Sequence, residues 1–131
     1  MTPPLHVETH ENLTSVWWIE DDGILCSISK KEAPELTRQQ SITQLEDFKQ
    51  LTGHRKTCML LDISNSRPIR REDREFVSQE LEKIVQALAF ISKSALGKMV
   101  ANLFLNLKPP PYPVRMFTDE HEARQWLRQY L

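Results

Sequence analysis

Apolar and polar positions recur along this chain with two periods, and the switch between them marks out its elements. Thr14 to Ile19 (TSVWWI) and Ile24 to Ser29 (ILCSIS) are β-branched and aromatic runs joined by Asp21-Asp22-Gly23, which predicts an antiparallel hairpin. Pro34 and the capping pair Thr37 and Gln40 then introduce a helix carrying Ile42, Leu45, Phe48 and Leu51, closed by Gly53. Lys56 to Asp62 follows with the unbroken apolar core Cys58-Met59-Leu60-Leu61, the pattern of a strand buried on both faces.

Beyond a polar loop from Ser64 to Arg71, helical spacing returns from Glu72 in Val77, Leu81, Ile84, Val85 and Leu88. No glycine ends this helix. It is expected to stop near Val85, because Ala87 to Ile91 reads as the next buried strand. A third helix starts at about Ala95, capped by Ser92 or Ser94. The run from Lys108 to Pro113 (KPPPYP) cannot continue that helix and forms a stiff connector to a short strand, Val114 to Phe117. Asp119 and Glu122 cap a last helix with Ala123, Trp126, Leu127, Tyr130 and Leu131 on one face.

The predicted order is ββαβαβαβα, an α/β fold whose sheet is mostly parallel with an antiparallel N-terminal hairpin and helices packed on it. At 131 residues the chain has the size of one domain, assigned here to residues 13–131 after a polar tail, 1–12.

This order, and the motifs along it, resemble the STAS fold of sulfate transporters and bacterial anti-sigma-factor antagonists, with its SpoIIAA-like relatives. The motifs are WIEDDGIL at Trp18 to Leu25, MLLDIS at Met59 to Ser64 and RPIRREDREF at Arg67 to Phe76. They continue with AFISKSAL at Ala89 to Leu96, ANLF at Ala101 to Phe104 and PVRMFTDEHEARQWL at Pro113 to Leu127. A group of small, uncharacterised bacterial proteins in that superfamily looks most similar. The resemblance implies a non-enzymatic regulatory or binding module. In the antagonists a phosphorylated serine opens the helix after the central strand; here Asp62-Ile63-Ser64-Asn65-Ser66-Arg67 occupies that stretch without a glycine and with Pro68 and further arginines behind it, which argues against the same switch at Ser64 or Ser66.

Charge and composition mostly exclude. With 17 basic and 18 acidic side chains the net charge is -1, so no global field holds nucleic acid. Cys26 and Cys58 lie inside apolar runs, as buried reduced thiols of a cytoplasmic protein do. The first residues carry no signal-peptide pattern, and no apolar run approaches the roughly 18 residues of a spanning helix. Isolated glycines rule out a phosphate-binding loop. His6 and His10 lack a third ligand for zinc, and Ser27 to Lys30 matches S-x-x-K on a strand rather than a helix. No enzyme, metal or cofactor is expected.

Two groups of residues remain as site candidates. Arg67, Arg70, Arg71 and Arg74, with Ser64 and Ser66, stand at the carboxyl end of a central strand, where open α/β sheets bind ligands and an anion could be held. The competing reading is a solvated face paired with Glu72, Asp73, Glu75 and Glu80. Ser92, Lys93 and Ser94, one strand along, could hold an anion or merely cap the helix.

The second group concerns contacts. On the third helix Met99, Leu103, Leu96, Leu107, Val100 and Phe104 fill an arc of about 140° and are expected to face the core. Ala101 and Leu105 fall beyond that arc beside Lys98, and with Phe104 at its end they are candidates for an interface. Trp17 and Trp18 point to opposite faces of their strand, so either one is an interface anchor or the sheet is covered on both faces. The expectation is a homodimer, or contact with another protein; the alternative is a peripheral membrane, lipid or small anionic ligand binding protein.

Overall fold

Hydrogen bonding of the hairpin starts the sheet. In the computed structural model, which describes residues 1–106 and 109–131, β2 (Ser15–Ile19) pairs antiparallel with β3 (Leu25–Ser29) across a turn in which Gly23 has φ 92°. Only glycine adopts that value without strain. Leu107 and Lys108, expected in the third helix's apolar arc and at the head of the connector, lie outside the described residues.

The sheet has six strands in the order β1-β2-β3-β4-β5-β6. β1 (His10–Glu11) pairs antiparallel with β2, while β4 (Thr57–Asp62), β5 (Val85–Ile91) and β6 (Val114–Phe117) continue from β3 in parallel. The helices are α1 (Arg38–Thr52), α2 (Arg71–Leu81), α3 (Ala95–Leu105) and α4 (Glu120–Arg128). The expected element order therefore holds, with one short strand added. That strand falls in the segment expected as a tail, and Met1 and Val7 also pack onto the core, so the first residues are tied to the fold.

Strands that are neighbours in sequence and in space force successive right-handed crossovers onto one face. α1, α2 and α3 accordingly share a layer whose core includes Trp17, Leu45, Phe48, Met59, Leu81, Leu88, Phe90 and Ala101. α4 and the first residues cover the opposite face over Trp18, Cys26, Leu60, Ala89, Phe117 and Leu127. Both faces are therefore buried within one chain. Trp17 is 4% exposed and Trp18 0%, so of the two alternatives the sheet covered on both faces holds, and neither indole is free to anchor an interface. Trp17 donates to Asp47 at 2.5 Å and packs edge-on against Phe48; Trp18 donates to Glu20 at 3.1 Å.

A bulge on β5 keeps the two layers consistent. Thr57 pairs with Val85 but Cys58 with Ala87, leaving Gln86 as the extra residue. Val85 then points into the first layer and Ala87 into the second.

The caps follow the sequence. Thr37 and Gln40 form the full capping box of α1, Gly53 ends it with φ 63°, Ser94 caps α3 through Gly97 N–H, and Asp119 caps α4 through Glu122 N–H. On α4, Ala123 and Leu127 are buried and Trp126 and Tyr130 half-buried, whereas Leu131, expected beside them, is exposed.

α3 departs from expectation. Ala101, placed on the outer side by the apolar arc, is 0% exposed and sits in the core, while Leu96 and Met99, assigned to the core, are 40% and 45% exposed. Helix orientation is set by Gly97 and Ala101, whose small side lets α3 approach the sheet closely. The face toward the sheet lies about 100° from the centre of the apolar arc, one residue's step around the helix. Phe104 and Leu105 are half-buried, Phe104 against Phe90 with ring centroids 6.1 Å apart. Among the described residues no helix is long and apolar enough to cross a membrane.

Candidate functional site

Because α3 turns its small residues to the sheet, part of its apolar arc faces a space that no side chain fills. Val100, Leu103 and Phe104 line a half-open cavity of about 210 Å³ bounded by α1, α2, α3, the carboxyl ends of β3, β4 and β5, and the loops that hold Pro34 and Pro68. Its walls are mainly apolar, with Leu45, Phe48, Leu81 and Phe90 among them. The position is the crevice where open α/β sheets receive ligands.

The polar lining is sparse and mostly satisfied. Gln44 donates to Ser15 Oγ at 3.0 Å, Ser29 Oγ accepts from Asn65 N–H at 3.0 Å, and Asp62 Oδ1 accepts from Ser64 N–H at 3.0 Å. Two atoms are exceptions. Ser41 Oγ and Arg74 Nε are buried without a hydrogen-bond partner among the described residues, and both residues line this cavity. The third such atom, Tyr112 Oη, belongs to a residue outside the lining; burial pushes its pKa up to about 12.

Buried polar groups are nearly always hydrogen-bonded, since an unsatisfied one costs about 1–3 kcal/mol. Both atoms lie beneath the wall of the pocket rather than on its open surface.

The arginine cluster divides. Arg70 and Arg71 are exposed and pair along α2 with Asp73 at 3.9 Å and Glu75 at 3.1 Å, as the solvated-face reading expects. Glu80 instead joins Lys49 at 2.7 Å and Lys83 at 3.1 Å. Arg67 is exposed at the cavity and Ser66 lines it. Arg74 is half-buried, donates through Nη1 to the Ile69 carbonyl at 2.5 Å, and forms no ion pair among the described residues.

Ser64, Ser92 and Ser94 are brought together across the ends of β4 and β5, but their groups serve the backbone. Ser64 Oγ accepts from Lys93 N–H at 3.1 Å, Ser94 Oγ donates to the Ser64 carbonyl at 2.5 Å, and Ser92 Oγ donates to the Ser94 carbonyl at 2.9 Å. Capping accounts for Ser92 and Ser94. Lys93 is exposed and apart from the cavity lining.

Sequence reading missed Ser41, which looked like an ordinary polar position of α1 and is 2% exposed. It also missed the join between Glu20 and Arg124, 104 residues apart, where two hydrogen bonds of 2.5 and 3.1 Å tie the hairpin to α4. His6 and His10 go to different partners, Asp21 and Asp47, and among the described residues no group of three His, Cys, Asp or Glu could hold a metal ion.

Comparison with known proteins agrees with this fold. An uncharacterised protein of the DUF3478 family from Shewanella loihica PV-4, with a SpoIIAA-like fold, superposes with a TM-score of 0.59 at 16% identity, over 97% of this chain and 98% of that one. At that identity the likeness is one of fold, and it bears out the SpoIIAA-like fold expected from the sequence. No curated protein matches the chain. The model of a family described as a domain of unknown function, DUF7793, matches residues 17–131, and the chain belongs to that family.

Proposed function

We propose that this chain is a non-catalytic regulatory module that binds a small molecule in the cavity beneath α3 and presents the outcome on α3 to a protein partner. The observation that carries the reading is the mainly apolar pocket beneath α3, with Asp62, Ser66 and Arg67 among its few polar lining residues. A pocket that is mostly apolar with a few convergent polar groups is the usual form of a small-molecule site. Catalysis finds little support. Both thiols are buried, burial being the main cause that pushes their pKa up, and an uncharged thiol is a poor nucleophile. Free thiols also fit a reducing compartment such as the cytoplasm.

Exposed Leu96 and Met99 support the second half of the reading. They stand on the first turns of the helix that roofs the cavity, a place where a second copy of the chain would bury them. Self-association of this kind would couple cavity filling to assembly through the position of α3.

The test is a titration of ¹⁵N-labelled protein with a panel of fragments of about ten non-hydrogen atoms, neutral, cationic and anionic. Binding predicts shifts concentrated on residues such as Ser41, Leu45, Val100 and Phe104. A panel in which no fragment of any charge moves these residues would sink the cavity reading.

A further inference from the structure

Resting on the cavity reading, we infer that the ligand is a free, unbranched carboxylate of about eight carbons, its chain laid across the sheet beneath α3 and its head in the open mouth beside Arg67. Shape comes first. Ser27 on β3, Leu61 on β4 and Phe90 on β5 pair in one row, and all three line the cavity. Ser15, two residues from Ser27's β2 partner Trp17, faces the same way and lines it too. Neighbouring strands lie about 4.8 Å apart, so the three steps from β2 to β5 give a floor roughly 14 Å long. A space of 210 Å³ drawn out over that length is narrow. It suits a flexible chain better than a ring.

Capacity and chemistry follow. An apolar cavity of about 150 Å³ in another protein holds the six carbons of benzene, and in that proportion 210 Å³ holds about eight. Leu45, Val77, Leu81, Val100 and Leu103 give a chain apolar contact from the three helices. Hydrogen bonds for a ligand are scarce. Ser15 Oγ accepts from Gln44 and Ser29 Oγ from Asn65 N–H, which leaves Ser27 as the one serine of the floor to offer its hydroxyl. Burial of hydrocarbon therefore carries the binding.

The mouth sets the head group. Pro34 and Arg67 are the lining residues that stand exposed, which places the opening between their loops. Arg67 has no ion pair among the described residues, and Asp62, the acid of the lining, is engaged by Ser64 N–H. A carboxylate in that opening keeps most of its water and gains an exposed pair with Arg67, a weak preference. The chain sets affinity and the head sets direction.

The experiment is a chemical-shift titration of the ¹⁵N-labelled chain with butanoate, hexanoate, octanoate, decanoate and dodecanoate, with octanol, and with cyclohexylacetate, which has the carbons of octanoate in compact form. Affinity read at Leu45, Phe48, Leu103 and Phe104 is expected to rise by about two- to fourfold per methylene as far as octanoate and then to level off. Octanoate should bind about two- to fivefold tighter than octanol, a difference lost in Arg67→Ala, and about tenfold tighter than cyclohexylacetate, whose ring must force the walls apart. A two-chain lipid exceeds the cavity, so phosphatidylglycerol vesicles should leave these residues unmoved. Affinity that ignores chain length, or cyclohexylacetate bound as tightly as octanoate, overturns the chain assignment. Octanol bound as tightly as octanoate overturns the carboxylate head, and vesicles that move the same residues overturn the free acid. Failure of every alkanoate while fragments of the neutral, cationic and anionic panel still bind overturns this inference and leaves the cavity a ligand site. If neither set moves these residues, the cavity reading falls as well.

Discussion

Gly97 lies so close to Ser92 that a Cβ on the glycine would overlap the serine hydroxyl, and it would also crowd the Ile63 carbonyl. The contact joins the start of α3 to the ends of β4 and β5, and it is what brings the helix down onto the sheet. Gly97→Ala should therefore destabilise the fold by about 1–3 kcal/mol, the usual cost of forcing atoms into a packed site. Urea unfolding should show a lower midpoint at an unchanged slope. Adding Ser92→Ala should recover only part of the loss, because the Ile63 carbonyl remains; full recovery, or no loss at all, would contradict the close approach.

Ser41→Ala should behave in the opposite way. It removes a buried hydroxyl that has no partner and replaces serine by a better helix former within α1. The variant is expected to gain about 1 kcal/mol of stability, read as a higher urea midpoint. A destabilised variant would mean that the hydroxyl is satisfied in the folded protein.

Glu20 and Arg124 make a pH-dependent contribution. Burial alone would raise the Glu20 pKa, but hydrogen bonds from Arg124 and Trp18 and the charge of Arg124 outweigh it and hold the carboxyl below its ordinary value. A carboxyl depressed by folding adds stability that is complete above its unfolded pKa, about 4.3, and that is lost as pH falls through the lower folded value. Glu11 and Glu80 shift in the same direction, each chiefly through a hydrogen-bonded lysine, Lys30 or Lys49. Glu20→Gln should unfold more easily at pH 7, by about 1–3 kcal/mol, since Arg124 loses its closer carboxylate and keeps only Glu120 at 3.4 Å. Its stability should also fall less steeply than that of the native chain below pH 4.5. Parallel acid-denaturation curves for the two proteins would refute the coupling.

Much of the fold is legible in the sequence, and the reasons are local. The hairpin, the capping box at Thr37, the glycine stop at Gly53 and the cap at Asp119 each depend on residues close together in the chain. Parallel pairing of β3 to β6 followed from the alternation of strand and helix patterns. The failures required knowledge of distance. An apolar arc cannot show which way α3 turns when its approach is set by the small residues Gly97 and Ala101. Two adjacent tryptophans cannot show that α4 and the first residues bury the second face. Ser41 and Arg74 come together on one cavity from two helices, and no spacing rule links them. Within the arginine cluster, sequence placed the group at the right end of the sheet but could not separate Arg74, lining the cavity, from Arg70 and Arg71, paired on the surface.

Self-association through α3 can be examined by light scattering. The native chain is expected to be a dimer, and Leu96→Glu with Met99→Glu should dissociate it without loss of secondary structure, since both side chains are already substantially exposed in the single chain. A native monomer at high concentration would remove the dimer, and leave Leu96 and Met99 to another protein.

The decisive measurement is the chemical-shift titration of the ¹⁵N-labelled chain with the neutral, cationic and anionic fragments. Shifts gathered on Leu45, Phe48, Leu103 and Phe104 are predicted. Shifts confined to the outer side of α3, or none at any residue of the pocket, would contradict the proposal that this chain binds a small molecule beneath α3.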